Sequence, residues 1–421
     1  MKKERNYAIE FLRILLAVNF CVIHVTTIVP PSFLKSPPKW PFTFDLILVF
    51  MAISGYFLMQ HFKGQQTRGL ATGNAAGQAW GYLKGRLLAL LPMFFLAQLA
   101  GFVVLYIFKG LPIQMWPMAF INHLGEFFGL QLSGFGMGNI IDGAWGSASP
   151  TMMLLNTPMW FISGLFLCGY LVYFLLAKCE KFFLGLIVPL TTVLLWASCY
   201  QADGPGLGVV MSASAELAPY AGVNPIWNYF IHIGDLVINA GLINMFVGLS
   251  VGCLLWVAVD RLKNKKWSKG MVVFMTVLMA LCTFFILYRA WVPVTAPGYL
   301  FGALDWGPVY LISLVFVFLI MLNSDGVTNL LNRKIFRVPG RLSLYIYMFH
   351  FPTIVACILI LGVERAKNTP LLIITAILAS VAVSILMMML DTKLIQPWLK
   401  NKPWYSKEQR ELEKQSELVI K

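Results

Sequence analysis

Charge is scarce in this chain. Asp, Glu, Lys and Arg make up 12% of its 421 residues, about half of what a soluble globular chain carries. Hydrophobic residues reach 59% and mean hydropathy is +0.75. That shortage excludes a domain with an ordinary water-solvated surface and makes lipid the natural solvent. Acids are scarcer still, with 18 Asp and Glu against 32 Lys and Arg. The seven cysteines (Cys21, Cys168, Cys179, Cys199, Cys253, Cys282, Cys357) lie in or beside apolar segments with no CxxC spacing. They read as small buried hydrophobes, so neither a disulfide frame nor a metal site is expected. No internal repeat is evident, which weighs against inverted-repeat transporter folds.

What the chain does have is long apolar runs. Ten stretches are long enough, or nearly so, to span a bilayer as helices: 7–29, 44–62, 87–108, 158–177, 183–200, 236–258, 271–289, 307–322, 342–361 and 370–390. The expected fold class is an all-α polytopic membrane protein, with residues 1–390 as one transmembrane domain. Residues 391–421 form a short charged tail, too small for a core of its own. Alternate connections starting at the N-terminus hold 25 of the 32 basic residues, which predicts cytoplasmic N- and C-termini by the positive-inside rule. The net charge of +14 is then a topology signal and a fit to anionic inner-leaflet lipid, and no nucleic-acid partner is expected. The opening MKKERNYAIEFLR resembles a signal-peptide n-region, but its apolar run is too long and shows no small-residue cleavage site, so it reads as helix one. Three outer-side connections (109–157, 201–235 and 290–306) are long, poor in charge and rich in Gly, Pro, Trp and Met. Such segments lie on or dip into the membrane only where protein or a wet cavity covers their backbone. An acceptor vestibule and interfacial packing with an aromatic belt both fit them.

Against this background, ionisable groups inside an apolar run stand out, because each is costly there and usually marks a pathway or reaction site. Arg13 and His24 lie in the first run, eleven positions apart. Eleven helical steps return to within about 20° of the start and rise roughly 16 Å. One helix face therefore carries a fixed cation in its inner half and an imidazole nearer its outer end. Glu10, three residues before Arg13, can pair with it on one turn. That pairing either makes two membrane charges tolerable or holds Arg13 to grip an anionic ligand from the cytoplasm, since Arg suits phosphate recognition. A neutral imidazole at His24 can act as general base or attack an acyl carbonyl directly, and both roles stay open. His350, with Tyr347 one turn below it, is a candidate second site residue that orients the acceptor or His24. A histidine bonded to a neighbouring helix is the plainer reading. Trp160 reads as an interfacial anchor unless it lines the site, and Ser54-Gly55 as a close helix contact. His61 falls at the inner edge, and His232 in an outer loop. His123 with Glu126 (i, i+3) is the first outer-loop candidate for acceptor contact.

These residues also match a family pattern. EFLRILLAVNFCVIH, with E-x-x-R and R-x10-H, resembles the opening helix of the acyltransferase-3 integral membrane family. FMAISGYFL (50–58) looks like its small-residue second helix, and YLKGRLLALLP (82–92) is similar to the basic start of its third. PMWFISG (158–164) looks like its W-F-L/I-S motif, and LSLYIYMFHFP (342–352) resembles its S-x-x-x-Y-x-x-H-x-P segment. Lys84-Gly85-Arg86 is sparser in Arg than the family's cluster. The resemblance implies transfer of an acyl group, commonly acetyl or succinyl, from cytoplasmic acyl-CoA as co-substrate, with no tightly bound cofactor. The acceptor is a hydroxyl on a glycan, a lipid-linked sugar or a small molecule on the outer side of a bacterial inner membrane. It further implies His24 as the catalytic residue, with Arg13, Glu10, Lys84 and Arg86 at the donor site. A transporter using Arg13 and His24 for substrate or proton coupling, and a glycan polymerase, are the competing classes. The missing repeat counts against the first, and only six basic residues in the outer set count against the second.

Overall fold

The computed structural model describes residues 6–28, 44–71, 73–108, 110, 112–130, 155–200, 211–213, 229–233, 236–291 and 306–402. The segment GNIIDGAWGSASP, most of 201–235, residues 292–305 and the tail beyond 402 lie outside the described residues, and with them most of the vestibule expectation.

Described residues are almost all helical, and the protein is a multi-pass membrane protein. Helices α1 (Tyr7–Ile28), α2 (Phe44–Thr67) and α3 (Ala75–Phe108) are followed by the short α4 (Trp116–Asn122) and α5 (Leu124–Phe127). Then come α6 (Trp160–Phe182), a π turn (Phe183–Ile187), α7 (Val188–Tyr200), α8 (Ala240–Leu262), α9 (Lys269–Trp291) and α10 (Trp306–Leu322). The chain closes with α11 (Gly326–Leu331), α12 (Arg337–Leu361), α13 (Val363–Ala366), α14 (Thr369–Leu390), a π turn (Asp391–Ile395) and α15 (Gln396–Lys400). A helix lies at each of the ten expected positions, and among the described residues seven helical runs are long and apolar enough to cross a membrane.

Four differences from the sequence reading have local causes. Helix α3 starts at Ala75 rather than 87, because Asn74 caps it through its Oδ1, accepting from Gly77 N–H at 2.7 Å, and hydropathy registers only the apolar part of a helix. The expected spans 158–177 and 183–200 are two helices that meet at a kink with no loop between them, where Cys179 leaves helical geometry (φ −152°, ψ 52°). The expected span 236–258 begins only at Ala240, because Leu236–Asn239 is a strand. It is β3 of a small antiparallel sheet with β1 (Met211–Ala213) and β2 (Tyr229–Ile233), registered Phe230 to Asn239 and Met211 to Ile231. Among the described residues this sheet is the one departure from an all-helical reading. Finally, the helix at the C-terminal end continues past Leu390 to Lys400, with Asp391 buried.

Helix α12 lies at the centre, with α1 and α14 packed on it and α3 also against it. Its approach to α1 depends on Gly340: a Cβ there would lie 2.2 Å from Glu10 Oε2 and 2.4 Å from Glu10 Cβ. Helices α2 and α8 cross equally closely. A Cβ on Gly55 would meet the Leu249 carbonyl oxygen at 1.9 Å, and one on Gly252 the Ala52 carbonyl oxygen at 2.2 Å. In lipid, where apolar surface is not driven out of the solvent, such backbone contact is a main source of helix association. Gly252→Leu is therefore expected to lower stability by about 3 kcal/mol or more, read as a lower unfolding temperature in detergent. An unchanged midpoint would show that this crossing contributes little.

Candidate active site

The site begins at a flaw in α12. Pro352 sits inside the helix and has no N–H, so the carbonyl of Met348, four residues back, loses its helical donor. The two residues before that proline are His350 and Phe351, and all of Phe349–Pro352 is buried. His350, fully buried, turns its ring back along the helix: Nδ1 lies 3.0 Å from the Ile346 carbonyl oxygen and 2.8 Å from that of Tyr347. Its Nε2 lies 2.9 Å from Nδ1 of His24 on α1, with ring centroids 4.9 Å apart. The structure thus brings together the two histidines that lie 326 positions apart in the sequence.

Elementary hydrogen-bond accounting fixes the protons of this pair. Carbonyl oxygens only accept, so Nδ1 of His350 carries the proton and its Nε2 is an acceptor. His24 Nδ1 faces two acceptors, that Nε2 and the Phe20 carbonyl oxygen at 2.9 Å. It must therefore be the N–H donor. A neutral imidazole with its proton on Nδ1 carries its lone pair on Nε2. The Phe20 carbonyl and His350 together thus select the tautomer of His24 and make Nε2 the basic nitrogen.

Aromatic rings surround the pair. Phe20, Phe351 and Tyr347 lie 5.8–6.4 Å from one or other imidazole, and Phe50 and Phe161 pack on Phe20 and Tyr347. The Tyr347 hydroxyl donates to the Pro158 carbonyl, so it fastens the start of α6 rather than pointing at His24. Trp160 is buried at 3% exposure beside Phe161, so it belongs to the packing around the site and is no interfacial anchor.

Toward the other end of α1, Arg13 Nη1 lies 3.4 Å from Glu10 Oε2, the expected pairing on one turn. Glu10 is buried, whereas the Arg13 side chain is 30% exposed. Lys84 is half-buried on α3, and Arg86 is exposed with its guanidinium 5.4 Å over the Tyr82 ring. Tyr82 stacks on Tyr173 and packs beside His61. His123 and Glu126 do meet, Nδ1 to Oε1 at 2.6 Å, but His123 is 4% exposed and its Nε2 is bonded to the Tyr106 hydroxyl at 2.7 Å. His232 lies in β2.

One residue in contact with the site escaped the sequence reading. Asn156, fully buried, donates through Nδ2 to the Met348 carbonyl at 2.8 Å. The signal for it was indirect: a proline inside an apolar helix orphans one carbonyl, and a buried carbonyl needs a donor from somewhere. No spacing rule says where in the chain that donor sits.

An acyltransferase-domain family model, that of acyltransferase-3, matches residues 6–389. No curated protein and no solved structure matches the chain. The matched range takes in α1 with Arg13 and His24, the basic start of α3, the Pro158–Gly164 segment and the His350 turn of α12, and it covers nearly the whole chain. This protein belongs to the acyltransferase-3 family, and is a membrane acyltransferase.

Proposed function

We propose that the protein transfers an acyl group, acetyl or succinyl, from cytoplasmic acyl-CoA to a hydroxyl presented on the outer side of a bacterial inner membrane. The acceptor is a glycan, a lipid-linked sugar or a small molecule. Ten spans with both termini cytoplasmic suit this, since the basic connections then face the donor. The observation that carries the reading is the His24–His350 pair at 2.9 Å, with His24 on the same helix as Arg13 and roughly 16 Å along it. That rise is comparable to an extended pantetheine arm, so a thioester can reach His24 while the phosphates stay with Arg13, Lys84 and Arg86.

In this mechanism His24 Nε2 takes the proton of the acceptor hydroxyl as its oxygen attacks the thioester carbonyl. Nδ1–H, held by His350, stabilises the imidazolium that results. The tetrahedral intermediate then collapses, the C–S bond breaks, and the CoA sulfur leaves with the proton from Nε2. The ester and CoA-SH account for every atom. Acylation of Nε2 itself is the competing route, and acid-quenched protein incubated with labelled acyl-CoA and no acceptor separates the two.

The test is direct. Purified protein is titrated with acetyl-CoA, succinyl-CoA and free CoA, and CoA release is followed with hydroxyl acceptors. Saturable binding with acceptor-dependent CoA release is the expected result. Well-folded protein that binds no CoA species would shift the reading to transport or glycan polymerisation.

A further inference from the structure

On the reading that His24 and His350 are the reacting pair, we infer that Asn156 is a positioning residue, replacing in trans the backbone N–H that Pro352 removes from α12. Three consecutive carbonyls of one turn, those of Ile346, Tyr347 and Met348, each take a side-chain donor. The first two face Nδ1 of His350 and the third faces Nδ2 of Asn156. The turn that sets the His350 tautomer is thus held by His350 itself and by one residue from outside the helix.

The orientation of Asn156 is fixed by what it faces. Its Nδ2 lies 2.8 Å from the Met348 carbonyl oxygen and 3.4 Å from that of Ala97 on α3. Turning the amide over would set its oxygen against two other oxygens. The contact is also reciprocal, because Tyr347 donates to the Pro158 carbonyl two residues beyond Asn156. Segment and helix therefore clasp each other at two points, next to His350.

What presents Asn156 is the polar cluster that the sequence offers as a candidate acceptor contact. Glu126 accepts from His123 Nδ1 with one oxygen and from the Leu155 N–H at 3.0 Å with the other. Tyr106 is bonded to His123 Nε2, and Gln98 donates to the Glu126 carbonyl at 3.1 Å. Gly101 leaves room for the segment, since a Cβ there would lie 2.4 Å from the Leu155 carbonyl oxygen. The Tyr106–His123–Glu126 cluster thereby fixes the backbone of Leu155, one residue before the amide that matters.

The test is a double-mutant cycle between the missing N–H and its substitute, run on protein whose wild-type transfer has been shown to need His24. Absence of His24-dependent transfer in wild type would sink the underlying reading and not this inference. Asn156→Leu, close in size but without a donor, is expected to lower kcat at least tenfold with KM for acyl-CoA within about twofold of wild type. Pro352→Ala returns an N–H to the Met348 carbonyl, so Asn156→Leu/Pro352→Ala is expected to recover to within about threefold of Pro352→Ala alone. If Asn156→Leu does not fold but the double variant does, folding itself reports the same rescue. Independent effects of the two substitutions would overturn the inference. A second arm does not use the proline: Glu126→Leu is expected to lower kcat in wild type yet change little in the Asn156→Leu background. Full additivity of that pair, or a change confined to KM, would overturn it as well.

Discussion

His24→Ala is expected to abolish acyl transfer, by on the order of 10²–10⁴ in kcat, while acyl-CoA binding stays close to that of wild type. The asymmetry follows from position. His24 lies near the far end of α1 from Arg13, beside the rings of Phe20 and Phe351, so removing its imidazole takes away the base and leaves the anion contacts. His350→Leu makes a sharper companion, because it leaves His24 in place and removes one of the two acceptors that face Nδ1–H, leaving the Phe20 carbonyl. The Phe20 carbonyl alone then holds the proton on Nδ1, and the imidazolium formed during transfer loses one of its two acceptors. His350→Leu should therefore also lower kcat with little effect on donor binding, and His350→Gln, whose side-chain oxygen can still accept, should recover part of the loss. Near-normal turnover of His24→Ala would remove His24 from the mechanism. Equal loss in the Leu and Gln variants of His350 would leave that residue only a packing role.

Much of this was legible in the chain itself. The spacing of Arg13 and His24 set both on one face of α1, because a helix that must satisfy its backbone inside lipid has its geometry fixed by that demand. The same logic put Glu10 beside Arg13, and the 3.4 Å contact agrees. The apolar runs located helices for the same reason. What hydropathy does not encode is the polar lead-in of α3, which rests on the Asn74 cap, or the kink at Cys179 that joins two helices without a loop. The partnership of His24 with His350 was named only as a possibility, because helix packing order, not local spacing, brings α12 against α1. Gly340 shows why: its missing side chain lets α12 settle on Glu10, yet in the sequence it is one glycine among 34. His123 and Glu126 illustrate the opposite error of emphasis. Their i, i+3 spacing correctly paired them, but the pairing faces inward, toward Tyr106 and Leu155, and not toward open space.

Arg13→Ala is expected to weaken acyl-CoA binding at least tenfold, while kcat at saturating donor falls much less. A charge-assisted contact to phosphate contributes about 1.5–3 kcal/mol, which is roughly a ten- to hundredfold change in affinity. The partition between binding and chemistry is the informative part. An interaction made equally in the ground and transition states raises KM and spares kcat, and a phosphate grip one pantetheine length from the thioester is such an interaction. Arg13→Lys should recover only part of the affinity, because an ammonium keeps the charge but not the planar fork. Glu10→Gln separates the two roles of the pair. If Glu10 holds Arg13 in its working pose across the 3.4 Å contact, Glu10→Gln weakens donor binding in the same direction as Arg13→Ala but by less. If Glu10 serves only to neutralise Arg13 within the membrane, removing its charge leaves an uncompensated cation and strengthens the attraction for an anionic donor. Isothermal titration of the variants with free CoA reads the sign directly. Unchanged CoA affinity in Arg13→Ala would move the donor phosphates away from α1, to the basic start of α3 where Arg86 lies over Tyr82.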